Sequence, residues 1–524
     1  MTGLRIGVSN IPTLWIKDFS GGENRRFRQS QIADNEAARL RNARFTLQGA
    51  LTKRAGTVRN AIANASAPLS SAFAYQLSDM ANEQLILADG TTDVMQLTTP
   101  GTGISAGFTD ITNLTALGTN FAPEFAILND LVVICNGQGA TRTINSSGTV
   151  ASPSNSPTSR WVVNHLGYLF FFNDPVSGQR SRLQWSDRGA ITFTTTNFEE
   201  IAPNDGAYGT GMVSFGDEIV LFKGPSFASQ SYGNGSMWRV ISDVFDASNP
   251  TYFIEKIPLP KNVSLVHGRT AKIFKGALIF ATNDGFYAYF GGGRQPENIS
   301  ESIRGEINGW EISDVHSSQR RAAATVWRNR YICSLYTDED SADLVNNRIY
   351  VLDEGKWWVD ILSEGADNFQ AGSGSAMDWV VYGNRLYSAS SLSNVLRQWD
   401  DTAFQDTMDA GTAENVNFSY LTKEFDFQEE QDFQVAYVHL RRQSSGDLTF
   451  EVNVDQRGAV STTLDMDTPD TGDTANTSSN ILRKQVLIGR NGRSIQFRAF
   501  NLENVDVEIY AIELVHSPLR SRQI

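Results

Sequence analysis

The chain has 524 residues, of which 40% are hydrophobic and 19% charged, with 43 glycines, 55 aromatics and a formal charge of −14. That length exceeds one small core, so two or three domains or one large β architecture are expected, and the composition excludes a disordered or coiled-coil chain. No apolar run reaches about eighteen residues, so no membrane span is expected, and the N-terminal residues lack a small-residue cleavage site, so no signal peptide is expected.

The charge is unevenly spread. Residues 1–60 hold eleven Lys or Arg against four acids, a net of +7, which leaves −21 on the remaining 464 residues. A basic segment on an acidic body can dock on nucleic acid or on an acidic neighbour. Within it, "IADNEAARLRNARF" reads as a short helix. Asp34 is placed as N-cap, Glu36 in the first turn, and Arg39, Arg41 and Arg44 near the C-terminal end of the dipole. "FTLQGALT" then reads as two short strands around Gln48-Gly49. Such a segment buries little apolar surface alone and is expected to pack on something else.

From about residue 70 to 400 an apolar strand, a tight turn rich in Gly, Asn or Asp, and a second strand recur. Strand centres near Ile86, Val132, Leu169, Val220, Leu278, Tyr331 and Leu386 lie 46, 37, 51, 58, 53 and 55 residues apart. This is the period of a β-propeller blade, and the count fits six or seven blades. Asp89-Gly90, Asn136-Gly137 and Asp284-Gly285 supply hairpin turn chemistry. Stacked sandwiches with similar hairpins are the competing architecture. Cys135 and Cys333 lie in apolar strand-like runs and read as buried reduced thiols of a protein made in a reducing cytoplasm.

Near Asp400 the texture shifts to an acidic connector, "WDDTAFQDTMDAGTAEN". Beyond it, clean alternation such as Val435, Tyr437, His439 and Phe450, Val452, Val454 reads as a β-sandwich of jelly-roll type. Its loop 465–480 is low in apolar residues and is expected at the surface. The expected division is a docking arm (1–65), a β-propeller-like domain (66–405) and a C-terminal sandwich (406–524), in an all-β chain with one short helix in the arm.

No constellation for chemistry stands out. His165, His267, His316, His439 and His516 are scattered, and no HExxH or CxxC occurs. The glycine-rich stretch 291–300 lacks the GK[ST] ending of a phosphate loop and reads as a propeller loop. Asp187, Glu199 and Glu200, and the cluster Asp338, Glu339, Asp340, Asp343, are candidate glycosidase carboxylates or calcium ligands, but read first as solvated loop acids. No catalytic residue, cofactor or metal is assigned.

"DFSGG", then "NEAARLRNARF", then "GALTKRAG" together resemble the N-terminal segment of hub or nozzle proteins from the tails of short-tailed double-stranded DNA phages, also called packaged-DNA stabilisation proteins. The resemblance spans about 40 residues and falls on Asp18, Phe19, Gly21 and Gly22, on Glu36, Leu40 and Asn42, and on Gly49, Leu51, Arg54 and Gly56. It implies a structural virion protein, not an enzyme, made in the host cytoplasm. It implies a hexameric ring below the portal and adaptor proteins, with tail fibre, spike or needle proteins as further neighbours. DNA would pass the ring without sequence-specific binding. An acidic body avoids the phosphate contacts that would slow DNA. The assembly interface is then expected at Asp18, Phe19, Gly21, Gly22, Arg25, Arg26, Arg28, Arg39, Arg41, Arg44, Lys53, Arg54 and Gly56. Two other functions remain open: a propeller glycosidase of the tail or envelope, with carboxylates at the mouth of the propeller axis, and a saccharide- or receptor-binding module, for which Trp357, Trp358 and Trp379 would matter.

Overall fold

A computed structural model describes residues 12–46, 48–78, 82–89, 93–111, 122–224, 235–243, 251–261, 263, 267–307, 322–336, 346, 348–362, 376–390, 393–399, 402–407, 411, 413–469 and 480–519. Seven sheets surround one axis: six are antiparallel four-stranded meanders, and the seventh has six strands, one of its pairings parallel. The first strands of consecutive sheets lie side by side around one axis. The arrangement is a seven-bladed β-propeller.

The innermost strands are Leu69–Tyr75, Glu124–Leu128, Trp161–His165, Tyr208–Phe215, Lys272–Phe274, Ala323–Trp327 and Asp378–Tyr382, which number blades 1 to 7. The seven apolar runs seen in the sequence are the second strand of each blade, buried on both faces and therefore apolar at nearly every position. Tyr168–Asp174 and Ala277–Thr282 are buried throughout. Hairpins between first and second strands were less legible. Leu166-Gly167, Lys275-Gly276 and Arg328-Asn329 all have positive φ, the pairing of a type I′ turn, although Leu, Lys and Arg rarely signal one.

Blade 7 is completed from the other end of the chain. Strand Thr57–Ala61 pairs antiparallel with Val395–Trp399, Val58 facing Gln398 and Asn60 facing Leu396. The propeller ring is thus closed by the segment just before blade 1. Gln405–Thr407 and Ala413–Asn415, in the stretch read as a connector, extend the same sheet.

The C-terminal β-sandwich draws its ten strands from both ends of the chain. Its spine is the long strand Ile481–Asn501. One half pairs with Phe425–Arg441; the other lies between Asp447–Val454 and Phe418–Thr422, so the strand passes from one layer to the other. Thr13–Ile16 pairs with Glu508–Pro518, Ala37–Arg41 with Phe418–Thr422, and Leu51–Lys53 with both Ala43–Phe45 and Glu508–Pro518.

The helix expected around Asp34–Phe45 is not formed. Those residues make the two strands Ala37–Arg41 and Ala43–Phe45, with Asn42 at φ +53 between them. Helix propensity is worth a few tenths of a kcal/mol per residue. Here it is outweighed by burial of Ala37, Leu40 and Ala43 in the shared core and of Arg41 between two carboxylates. Asp34 pairs with Lys423 instead of capping a helix, and Glu36 accepts from the Ala33 N–H and from Asn24. The hairpin around Gln48-Gly49 is present, with Phe45 opposite Leu51 and Gly49 at φ +82.

One apolar core runs through both halves of the molecule. It joins Phe19, Leu40 and Leu51 of the N-terminal segment, Ile332, Val351 and Trp358 of blade 6, Leu386 of blade 7, and Phe418, Phe450, Phe497 and Ile512 of the sandwich. Among the described residues the longest α-helix is the single turn Arg304–Ile307, and no helix is long and apolar enough to cross a membrane.

Candidate functional site: the N-terminal clasp and the propeller axis

Residues 18–56 form a clasp wedged between blade 6 and the sandwich. Phe19 is buried edge-on against Tyr420 at 5.4 Å. The Glu23 N–H donates to the Trp357 carbonyl at 3.0 Å, and the Asn42 N–H to that of Val359 at 3.2 Å. The Asn42 side chain joins three parts of the chain. Its Nδ2 donates to the Asn417 carbonyl at 2.7 Å, while its Oδ1 accepts from the Ile361 N–H at 2.9 Å and from Arg54 Nε at 2.8 Å.

The glycines follow from close packing. A Cβ on Gly21 would sit 2.5 Å from the Asn35 carbonyl oxygen, and one on Gly56 1.9 Å from that of Gln405. Both contacts are with backbone, so any side chain would force the clasp off its neighbour.

Most of the basic residues are spent inside the chain. Arg41 is buried and lies between Glu23, 3.0 Å away, and Glu306, which also receives Arg25. Arg44 grips Asp360 of blade 6 with both ends of its fork. Arg54 does the same to buried Asp406, 3.0 Å from Nη1, and adds a 2.8 Å bond to the Ile361 carbonyl. Lys53 donates to Asn501 Oδ1 at 2.8 Å and to the Glu503 carbonyl.

Burial sets the protonation of these groups. It pushes the Glu23 carboxyl up to about 7, Arg41 opposing and Glu306 adding to the shift. Glu306 is buried as well, but Arg41 and Arg25 together hold it down at about 2. Burial, with Arg54 close by, drives the Lys53 ammonium down to about 7.

Of the expected interface residues, Phe19, Gly21, Gly22, Arg41, Lys53, Arg54 and Gly56 are therefore interior, and Arg25 and Arg44 are half-buried and paired. Asp18 is at the surface, accepting from the Ser20 N–H at 2.9 Å and from Asn35 at 3.1 Å. Arg26, Arg28 and Arg39 are exposed. Between the first two stands Phe27, 50% exposed with the Arg26 guanidinium 5.1 Å from its ring centre, which the charge pattern alone did not single out. Glu23, Glu306, Asp360 and Asp406 were also missed. The last three lie 265 to 352 residues from their arginines, so no local pattern marks them.

The second notable site is the propeller axis. The seven innermost strands surround a cavity of about 580 Å³. Each contributes at least one apolar wall residue, among them Phe73, Phe125, Val163, Val213, Ile273, Val326 and Val381. Arg269, just before blade 5, reaches across the axis. Its guanidinium pairs with Glu124 of blade 2 at 2.7 Å and Asp378 of blade 7 at 3.5 Å, and donates to the Pro123 carbonyl at 2.9 Å and Ser71 Oγ at 3.1 Å. Asp378 also accepts from Ser71 Oγ and from the N–H groups of Ala72 and Trp379, so both of its oxygens are engaged. This crossbar ties blades 1, 2, 5 and 7 together.

The remaining sequence candidates are placed as follows. Cys135 and Cys333 are buried free thiols. Asp187 accepts from Thr192 at 2.6 Å, and Glu200 pairs with Arg182 at 2.6 Å. Residues 338–343, His316 and most of the 465–480 loop lie outside the described residues, and among the described residues no group of metal-ligating side chains comes together. His165 meets Ser214 at 2.8 Å and His439 faces Glu513 at 3.5 Å. Trp357, Trp358 and Trp379 are core residues.

No protein-family model matches the sequence, and no curated protein does. Solved structures with a similar trace include the extracellular domain of a hybrid two-component system from B. thetaiotaomicron, at 10% identity and TM-score 0.41; the match covers 80% of this chain, which spans about half (48%) of that one. An exo-β-1,3-galactanase from Phanerochaete chrysosporium follows at 12% identity, TM-score 0.28, covering 88% and 100% of the two chains. BamB from Moraxella catarrhalis stands at 13%, TM-score 0.32, covering 66% and 98%. At such values none bears on function, and the propeller assignment rests on the strand registers.

Proposed function

We propose that this chain is a structural subunit of a short phage tail, a hub or nozzle protein that assembles as a ring around the DNA path and helps retain packaged DNA. One observation carries the reading. The three sequence elements that resemble that family, around Asp18–Gly22, Glu36–Asn42 and Gly49–Gly56, fold as a single clasp, and most of their residues have a task at the propeller–sandwich junction. That shared task at the junction supports reading the 40-residue resemblance as one of assembly architecture.

The same placement revises how the segment serves assembly. Its interior arginines are matched by this chain's own acids, so neighbours in a ring, or an adaptor above, are met by the exposed knuckle Arg26-Phe27-Arg28. The carboxylates beside Arg269 hold the crossbar, and the reading assigns no catalytic step.

The test mixes purified protein with tailless, DNA-filled particles. Removing residues 1–60 is unsuitable, because it would take away the strand that closes blade 7. The triple variant R26E/F27A/R28E is the right comparison. The intact chain attaches and stops DNA loss, while the triple variant stays folded and attaches weakly. If the intact chain does not attach, the tail reading fails; if both attach equally, the knuckle is not the docking surface. Release of oligosaccharide by the intact chain would favour a glycan-cleaving propeller instead.

A further inference from the structure

The clasp strand Leu51–Lys53 ends against Asn501, the last residue of the sandwich spine. Both side chains are buried, Lys53 at 3% exposure and Asn501 at 2%. Lys53 Nζ lies 2.8 Å from Asn501 Oδ1. The amide carbon is one C=O bond beyond that oxygen, so it is at most about 4 Å from Nζ, close to the separation of a near-attack pair.

The surroundings prepare this contact for chemistry. Nζ has two acceptors among the described residues, Asn501 Oδ1 and the Glu503 carbonyl. They match the two N–H groups of an uncharged amine, whereas an ammonium would leave its third donor unmet. Burial, with Arg54 close by, drives the ammonium down to about 7, so the lone pair is available near neutral pH. Asn501 Oδ1 also accepts from the Glu503 N–H at 3.2 Å, a backbone donor placed where negative charge would develop on attack. Asn501 Nδ2, the leaving side of the amide, donates to the Asp447 carbonyl at 2.6 Å, which fixes the orientation of the group. Asp506 lies on the segment that packs against Lys53, its neighbour Val507 accepting the Lys53 N–H at 3.0 Å, and burial raises its carboxyl.

We propose that Lys53 and Asn501 join in an intramolecular isopeptide bond, which locks the clasp covalently to the sandwich. The Nζ lone pair forms the new bond to Asn501 Cγ. The carbonyl electron pair moves onto Oδ1, beside the Glu503 N–H, and returns as the Cγ–Nδ2 bond breaks. One proton released from Nζ passes to Nδ2, with the Asp506 carboxyl as the neighbouring group able to relay it, and the nitrogen departs as ammonia. No oxidant, metal or co-reactant is consumed. The inference goes beyond the tail reading and does not depend on it.

The test is intact-mass spectrometry of the denatured full chain after incubation at neutral pH, since only a covalent link survives unfolding. The native chain is expected to be lighter than its sequence by one ammonia, and K53R to show the full mass of its own sequence. Trypsin is expected to release one branched peptide from the native chain, carrying residues 45–54 and 499–520, because a linked Lys53 is no longer a cleavage site. A native chain at full mass, or one without that branched peptide, would overturn the proposal. So would an ammonia loss that K53R retains, which marks succinimide closure at an asparagine instead of a link. Should K53R fail to fold, the branched peptide of the native chain decides alone.

Discussion

Two arginines, one in the clasp and one on the propeller axis, do similar work in different surroundings. Arg41 lies between Glu23 and Glu306 with all three side chains at 1% exposure or less. Arg269 lies between Glu124 and Asp378, whose side chains keep 24% and 15% of their exposure to the axial cavity. Both join distant parts of the chain, but only around Arg41 is solvent excluded. A charge left behind there has no water to turn to, whereas one left in the axis has. The contrast identifies the clasp as the costlier junction to disturb and the axis as the more tolerant one.

The largest expected effect follows directly. R41A strips buried Glu23 of its guanidinium partner and leaves buried Glu306 with Arg25 alone, and is expected to lower unfolding free energy by about 3–5 kcal/mol, the usual cost of breaking a buried ion pair, as read by urea denaturation. R269A is expected to cost less, about 1–3 kcal/mol, because its partners can be hydrated through the cavity. Equal losses in the two variants would break the comparison.

A finer probe is pH. Burial raises the Glu23 carboxyl from 4.5 to about 7, so the folded chain holds that proton more tightly than the unfolded one. Its contribution is fully present below about pH 4.5 and is lost as pH climbs through 7. Glu306, depressed to about 2, acts in the opposite sense, its contribution being lost as pH falls from 4.5 towards 2. Unfolding free energy, read by urea denaturation from pH 4.5 to 7.5, is expected to decline more in the native chain than in E23Q, by an amount on the order of a kcal/mol or more. Parallel curves would mean that Glu23 does not titrate in that window. The smallest effect on stability is expected from R26E/R28E, within about 0.5 kcal/mol of the native chain because both side chains are exposed; a larger loss would place the knuckle in the fold.

The propeller was legible because second strands buried on both faces leave apolar runs at blade spacing, as around Leu169 and Leu278. Blade 7 was only partly legible, since its fourth strand, Thr57–Ala61, lies more than 300 residues before its partner. The helix misassignment has a similar cause. "NEAARLRNARF" has helical propensity and a cap residue, and Glu306, far along the chain, is half of the reason Arg41 is interior. Charge counting located the basic segment correctly but could not tell a buried guanidinium from an exposed one. Arg269 carried no signal in sequence because its partners come from three different blades.

The most direct measurement is differential scanning calorimetry on the native chain and on R41A/R54A. If the clasp fuses propeller and sandwich through one core, the native chain melts in a single cooperative transition and the double variant melts lower or in two steps. Two independent transitions in the native chain, both unmoved by the double substitution, would contradict it.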